Sequence, residues 1–165
     1  MKNYVLLVLL MLFSFELFAA TYNLPSNRPG GCSRPGNGQT VNCPGNLTLR
    51  SDDVVNVTGT VVWNIAGTAN LQNAKINLSG NSANLTINVG GDLTTGNGFQ
   101  AKANISVNDE VNLSSSNVHT GDITARVIDT GTSTTINGNV QSIEDVLIGS
   151  NTVINGSVTC LLYTS

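Results

Sequence analysis

A string of six residues recurs near the C-terminal end of the chain, and this recurrence limits the folds open to it. Residues 135–140 (TINGNV) return as residues 153–158 (VINGSV), 18 positions later, and residues 119–123 (HTGDI) form a weaker copy 17 positions earlier. A period of this length that contains short strands is typical of one coil of a parallel β-helix. The repeat therefore predicts a solenoid of about 17–18 residues per coil.

Apolar residues alternate with polar residues in short runs throughout residues 54–158. Two such runs are Val61, Trp63 and Ile65, and Leu85, Ile87 and Val89. Alternation over three to five residues predicts strands with one buried face, and the intervening Gly, Asn and Asp predict corners. We expect an all-β, single-stranded parallel β-helix over residues 51–158, right-handed as parallel crossovers usually are. Hairpins are the alternative at the Asn-Gly pairs 97–98, 137–138 and 155–156.

The prolines mark off an N-terminal segment. All four lie within residues 25–44, and proline is excluded from central strands because it lacks an N–H donor. We therefore predict that residues 21–50 form an irregular cap. Cys32 and Cys43 both lie in it, and closing so short a loop would stabilise the fold by about 3 kcal/mol. A Cys32–Cys43 disulfide is the prediction; two free thiols, or pairing through Cys160, are the alternatives.

Both ends of the chain carry segments that differ from the repeat. Lys2, an apolar run over residues 4–15 and the small residues Ala19 and Ala20 predict a signal peptide over residues 1–20. The run is shorter than the roughly 20 residues that span a membrane, so we expect no transmembrane segment in the mature chain. Residues 159–165, which include Cys160, break the pattern and are expected to be a non-native or truncated tail.

The composition and the motifs argue against most catalytic and ligand-binding functions. The net charge is −3 and the cations are scattered, so no nucleic-acid footprint is expected. His119, the only histidine, occupies a repeat position matched by Ile136 and Ile154, which favours a structural role. A zinc site would need more His or Cys, and no Gly-x-Ser-x-Gly motif is present. The sequence predicts no catalytic residue, no metal and no cofactor.

Pairs of neighbouring acids are the one signal that favours an enzyme, since some parallel β-helices degrade polysaccharides with acidic residues, calcium and a basic group. The pairs are Asp52-Asp53, Asp109-Glu110 and Glu144-Asp145. Adjacent strand residues point to opposite faces, so a pair cannot act as a matched dyad. A basic side chain stacked beside two acids on one exterior face would favour the enzyme.

Phe99 is the candidate surface contact. It follows Gly98, lies outside the alternating apolar rows and is one of few aromatic residues. Binding is therefore expected on a flat exterior sheet face or on the loop around residues 97–100. The alternative is that Phe99 is buried and fills a corner of a coil.

The opening of the mature chain resembles a known family. Residues 21–25 (TYNLP), the Cys32 and Cys43 pair and the Asn/Gly-rich solenoid resemble the mannose-sensitive haemagglutinin (MSHA) pilus biogenesis protein Q family, over about residues 21–158. The resemblance implies an exported Gram-negative surface protein that acts as an adhesin or assembly accessory of a type IV pilus. Chains of that family are much longer, so it also implies an N-terminal fragment.

Three functions remain open on the sequence. The first is a non-catalytic structural or adhesive segment whose partners are pilus components, cell-surface glycans or other surface proteins. The second is a carbohydrate-active β-helix of the lyase or hydrolase type. The third is a self-polymerising scaffold, because uniform coils can stack end to end.

Overall fold

The structure, a computed structural model, describes residues 18–36 and 38–161 as an all-β solenoid of parallel strands. The signal-peptide prediction falls largely on residues 1–17, outside the described residues. One 3-10 helix, Ser82–Asn84, is the only helical element among the described residues. The predicted fold class, a parallel β-helix, is confirmed.

The strands form three faces, which we call A, B and C; each described coil except the last contributes a strand, or part of one, to every face. Face A contains β1 (Thr21–Leu24), β4 (Val54–Val57), β7 (Lys75–Ile76), β10 (Gln100–Lys102), β13 (Val118–Thr120), β15 (Thr135–Asn137) and β17 (Val153–Ile154). Face B contains β2 (Thr40–Cys43), β5 (Val61–Ile65), β8 (Leu85–Val89), β11 (Asn104–Val107), the first parts of β14 (Ile123–Thr130) and β16 (Val140–Ile148), and β18 (Val158–Cys160). Face C contains β3 (Leu47–Thr48), β6 (Ala69–Asn70), β9 (Leu93–Thr94), β12 (Glu110–Leu113) and the last parts of β14 and β16. All ladders between these strands are parallel.

Coil length is regular only in the second half of the solenoid. Along face A, Gln100 pairs with Val118, Val118 with Thr135 and Thr135 with Val153, so the chain advances by 18, 17 and then 18 positions. The earlier steps, from Val54 to Lys75 and from Lys75 to Gln100, are longer, at 21 and 25 positions. The predicted period therefore holds from residue 100 onward, and the earlier coils carry extra residues at their corners.

Inward side chains stack in columns, as the alternation predicted. On face A the column runs Val55, Ile76, Ala101, His119, Ile136 and Ile154, one residue per coil. All but Ile154 are fully or almost fully buried, and Ile154 packs against the core from the last coil. The repeat thus places Ile136 directly beside Ile154, as expected.

The segment predicted as a cap is partly solenoid. Strands β1, β2 and β3 pair in parallel with β4, β5 and β6, so residues 21–24, 40–43 and 47–48 form the first coil. The irregular part is confined to the long loop over residues 25–39. It contains Pro25, Pro29 and Pro35, which explains why the prolines avoid the strands.

That loop covers the free edge of the first coil. Asn27 exchanges both backbone hydrogen bonds with Asn23 of β1, at 2.8 and 2.9 Å, and Ser33 does the same with Asn42 of β2, at 2.7 and 2.8 Å. Unpaired edges otherwise offer a template for another chain. The predicted Cys32–Cys43 disulfide is confirmed and ties this loop to β2. A structural disulfide fits a secreted or extracellular protein.

Phe99 is wholly buried, so its prediction as a surface contact is wrong and the buried alternative holds. Gly98 has a positive φ of 79°, and the chain turns there before entering β10. The Phe99 backbone N–H donates to the side-chain oxygen of buried Asn117 at 2.8 Å, which fixes the corner. The inward residues that follow are small, Ala101 and Ala103, and leave room for the ring in this coil.

Replacing Gly138 with alanine should destabilise the solenoid. A Cβ at Gly138 would collide with the backbone oxygen of Gly121 in the coil before it, so the coils would have to move apart. We expect a loss of about 1–3 kcal/mol in the free energy of unfolding, measured by denaturant titration. Gly45→Ala is the control, because nothing lies within 4 Å of a Cβ there. Equal stability of the two variants would contradict this packing.

Breaking the disulfide should cost about 3 kcal/mol of unfolding free energy on the chain-entropy estimate. The double variant C32S/C43S is compared with C160S, which should match the unmodified chain because Cys160 is a free, exposed thiol. Thiol labelling of the unreduced protein should modify one cysteine per chain, and all three after reduction in denaturant. Labelling of Cys32 or Cys43 without reductant would refute the bond.

Candidate functional site

The outer surface of face B carries one row of uncharged polar side chains along the solenoid. We call it the face B row; it consists of Asn42, Asn64, Asn88, Ser106, Thr124 and Gln141, which occupy matching register positions in six successive coils. Alternation explains their exposure, because the neighbours of each on its strand are inward core residues. Strand spacing places successive members about 4.8 Å apart, so the row is about 24 Å long.

The first three members form an amide ladder. The Asn64 Nδ2 donates to Asn42 Oδ1 at 2.9 Å, and the Asn88 Nδ2 donates to Asn64 Oδ1 at 2.8 Å. An amide can donate and accept at once, so each Asn bonds the copy in the coil before it. The ladder fixes the side chains in one orientation and leaves the remaining N–H and lone pair of each amide for other partners.

Two cavities lie along the row. The larger has a volume of about 450 Å³ and includes Asn42, Asn64, Asn88 and Ser106 in its lining. The smaller has a volume of about 220 Å³ and includes Thr124 and Gln141. Ser106 of the larger cavity and Thr124 of the smaller are register neighbours, so the two cavities follow one another along face B. The larger extends from the row toward face C and the smaller toward face A. We call the two cavities and the stretch of the row between them the groove.

The groove has little charge. No residue that lines the larger cavity is ionisable in its side chain apart from the disulfide-bonded Cys43, and Asp122 is the one charged residue in the lining of the smaller. The other faces differ, since Lys75 and Lys102 lie on face A strands and Asp129 and Asp145 on face C. Over its six described coils, the face B row contains no charged side chain.

A cluster of three charged residues lies at the corner between faces B and C. The Arg126 Nη1 contacts Glu144 Oε2 at 2.6 Å, and its Nε contacts Asp109 Oδ1 at 3.6 Å. The hydrogen bond and charge of Glu144, with a smaller contribution from Asp109, raise the pKa of Arg126 above its usual value. All three side chains are about half exposed, and none of them lines either cavity.

This cluster places a basic side chain beside two acids on one exterior surface. That is the arrangement expected above to favour an enzyme. Asp109 and Glu144 lie two coils apart, about 10 Å at the usual strand spacing, with the guanidinium between them. Both carboxylates are therefore held in ion pairs with the same Arg126. The cluster was not predicted from the sequence, although Asp109, Arg126 and Glu144 follow one another at the period of the repeat.

The structure separates the first acidic pair. Asp53 is buried and accepts backbone N–H groups of Ala20 and Arg50, at 2.6 and 2.8 Å, so it closes a corner between the first two coils. Asp52 has a positive φ of 64° and its exposed carboxylate lies 3.7 Å from the Lys75 ammonium. The two side chains have different environments and do not act as a pair.

The second and third pairs are divided in the same way. Asp109 contacts Arg126, whereas the Glu110 backbone N–H is bonded to Asp92 at 3.1 Å. Glu144 also contacts Arg126, and Asp145 lies at a face C register position opposite Val127. The acidic side chains thus bond to the backbone at corners or form ion pairs between coils.

His119 is a core residue. Its ring lies in the face A column between Ala101 and Ile136 and is fully buried, and neither ring nitrogen has a hydrogen-bond partner. Burial lowers its pKa from 6.5 to about 4, because the charged form would lose its hydration; this outweighs the opposing effects of the Gly121 backbone, the Asp122 charge and the Ala103 backbone. The ring is therefore neutral at physiological pH, as the structural interpretation requires.

Neither a metal cluster nor a spanning helix is found in the part of the chain that the structure describes. Residues 18–36 and 38–161 contain no group of three His, Cys, Asp or Glu side chains that could hold a metal ion. Over the same residues, no helix has the length and apolar character needed to cross a bilayer.

Comparison with known proteins returned no relative. No protein-family model matches the chain, and neither the curated proteins nor the solved structures contain a match. The fold, the face B row and the charged corner are therefore the basis for proposing a function.

The buried His119 predicts a loss of stability at mildly acidic pH. The unfolded chain takes up a proton near pH 6.5 and the folded chain only near pH 4, so stability is full above pH 6.5 and declines as the pH falls toward 4. Between pH 7 and pH 5 the loss should be about 2 kcal/mol. Denaturant unfolding at several pH values measures it, above the range in which most carboxylates titrate.

His119→Leu should keep the fold and abolish this loss, because a leucine fits a column that already contains Ile136. Ile136→Leu is the control, since it conserves volume and leaves His119 in place. An unchanged pH dependence in H119L would show that another group is responsible.

Proposed function

We propose that this chain is an exported, non-catalytic structural or adhesive β-helical segment of a bacterial surface protein. The observation that supports it most is the unbroken stack of parallel coils with a polar outer face B. Every coil pairs with the next through backbone hydrogen bonds, and the core columns run the length of the stack. Such a body holds a fixed shape and presents long surfaces, as a spacer or an adhesive stalk must.

The setting we propose is the outer surface of a Gram-negative cell, with pilus components, cell-surface glycans or other surface proteins as partners. The resemblance of residues 21–158 to the MSHA pilus protein Q family supports this setting. The disulfide that ties the loop over residues 25–39 to β2 fits export into an oxidising compartment.

A carbohydrate-active enzyme is the second candidate, and the charged corner is the observation that favours it. Arg126 between Asp109 and Glu144 supplies a basic group and two acids on one exterior surface. The geometry of the corner favours an ion-pair clasp between coils instead. Both acids are bound to the guanidinium, and the groove along face B has none of the three in its lining.

Self-polymerisation is less well supported. Head-to-tail growth needs a free edge at both ends of each copy. In the first coil, the loop over residues 25–39 already occupies hydrogen-bonding groups on the edges of β1 and β2.

The test uses the charged corner. We expect the purified protein to release no product from polysaccharides, with or without calcium, and beads coated with D109N, R126Q or E144Q to attach to cell surfaces as well as beads coated with the unmodified protein. Exposed ion pairs contribute little, so each variant should lose at most about 1 kcal/mol of stability.

Asp92→Asn is the matched control, an exposed acid outside the cluster. Product release by the unmodified protein that disappears in D109N or E144Q but persists in D92N would overturn the proposal and establish the enzyme.

A further inference from the structure

We propose that the groove along face B binds a neutral, extended polysaccharide, with the face B row as its hydrogen-bonding floor. This inference rests on the proposed adhesive function and names the class of ligand and the surface. Four observations carry it: the linear row, the free bonding capacity of the amide ladder, the lack of charge, and the lack of apolar anchors.

The shape of the site calls for a linear ligand. Six matched positions from Asn42 to Gln141 lie about 4.8 Å apart in one line, and each cavity has some of these residues in its lining. A single sugar would occupy one cavity, whereas a chain of linked sugar rings could occupy both across Ser106 and Thr124. The repetition of the fold is thereby matched to the repetition of a polymer.

The bonding groups suit hydroxyl groups. In the ladder Asn88 donates one bond, Asn42 accepts one, and Asn64 does both. The half-exposed Asn64 and Asn88 each keep a second N–H and a free lone pair. Ser106, Thr124 and Gln141 are exposed and can both donate and accept. Sugar hydroxyls also do both, so they can bond to any member of the row.

The electrostatics exclude charged polymers as the favoured ligand. The larger cavity contains no charged side chain, so it offers nothing to neutralise the phosphates of a nucleic acid or the carboxylates of an acidic glycan. The one charge, Asp122 at the smaller cavity, would repel such anions.

A protein partner is also disfavoured on this face. Interfaces with proteins usually depend on buried aromatic or aliphatic anchors. Trp63 and Phe99 are wholly buried, and of the aromatic residues that the structure describes only Phe18 is largely exposed, away from the groove. The large apolar side chains that are exposed on the described coils do not line either cavity.

Two pairs of variants test the groove. Asn88→Leu removes a half-buried, outward amide that donates to Asn64 of the preceding coil, and Asn56→Leu removes an equivalent amide that donates to Asn23 on face A at 3.0 Å. The second pair is Ser106→Trp, which blocks the junction of the two cavities, and Thr94→Trp, an exposed strand position on face C. Thermal unfolding checks that all four variants fold.

The probes are neutral hexasaccharides of β-1,4-linked glucose, mannose and N-acetylglucosamine, the three monosaccharides, and an alginate hexamer as the anionic comparison. Calorimetric titration of the full chain should show that at least one neutral hexasaccharide binds at least about tenfold more tightly than its monosaccharide and than alginate. N88L should weaken that binding about five- to tenfold and S106W should abolish it, whereas N56L and T94W should stay within about twofold.

Several results would overturn the inference: no neutral hexasaccharide binding with a dissociation constant under about 1 mM, equal losses in N88L and N56L, equal affinity for monosaccharide and hexasaccharide, or tighter binding of alginate. If N88L and S106W still fold and attach to cell surfaces as before, the groove is refuted while the adhesive function stands. Cleavage of a bound hexasaccharide would instead refute the non-catalytic function and leave the groove in place.

Discussion

The parallel register between successive coils is the constraint on which the rest of this structure depends. Backbone hydrogen bonds hold the strands of each face about 4.8 Å apart, so the nearest neighbour of a side chain is the residue one coil away. The same rule places Ile136 between His119 and Ile154 inside the solenoid and Asn64 between Asn42 and Asn88 outside it. The core and the face B row are two consequences of one register.

The fold could be predicted from the sequence in those coils whose strand register follows the 17–18-residue repeat. From residue 100 onward each coil advances by nearly the same number of positions, and the repeat identifies the stacking directly. The earlier coils are longer because their corners between faces A and B contain extra residues, such as residues 77–84 with the 3-10 helix Ser82–Asn84. Such insertions change the period without changing the faces, so the order of the first coils could not be read from periodicity. The first coil was hidden further by the loop over residues 25–39, which made its strands look like part of a cap.

The residues of the candidate site, too, were predictable only where they follow the period of the repeat. Asp109, Arg126 and Glu144 follow the period of the repeat, so a search for charges at that period would have found the corner. Asn42, Asn64 and Asn88 belong to the longer early coils, and nothing in their local sequence distinguishes them from the many other Asn residues. The prediction for Phe99 was wrong for a related reason: the corner at Phe99 is bonded to Asn117, which belongs to the next coil and so cannot be recognised from the local sequence.

Stacking also restricts which chemistry a long row can carry. Like charges in directly opposite strand positions repel, so an ionised side chain cannot be repeated from coil to coil without compensation. Here the charged corner alternates in sign from Asp109 to Arg126 to Glu144, and where two acids are stacked, the Asp92 carboxylate accepts the backbone N–H of Glu110. Asparagine can be repeated without this repulsion, since its neutral amide can hydrogen-bond to the asparagine at the same position in the next coil. An uncompensated row of constant chemistry along a solenoid is therefore favoured when it is neutral, which is why the ligand that we propose for the face B row is a repeating polymer that bonds through uncharged groups.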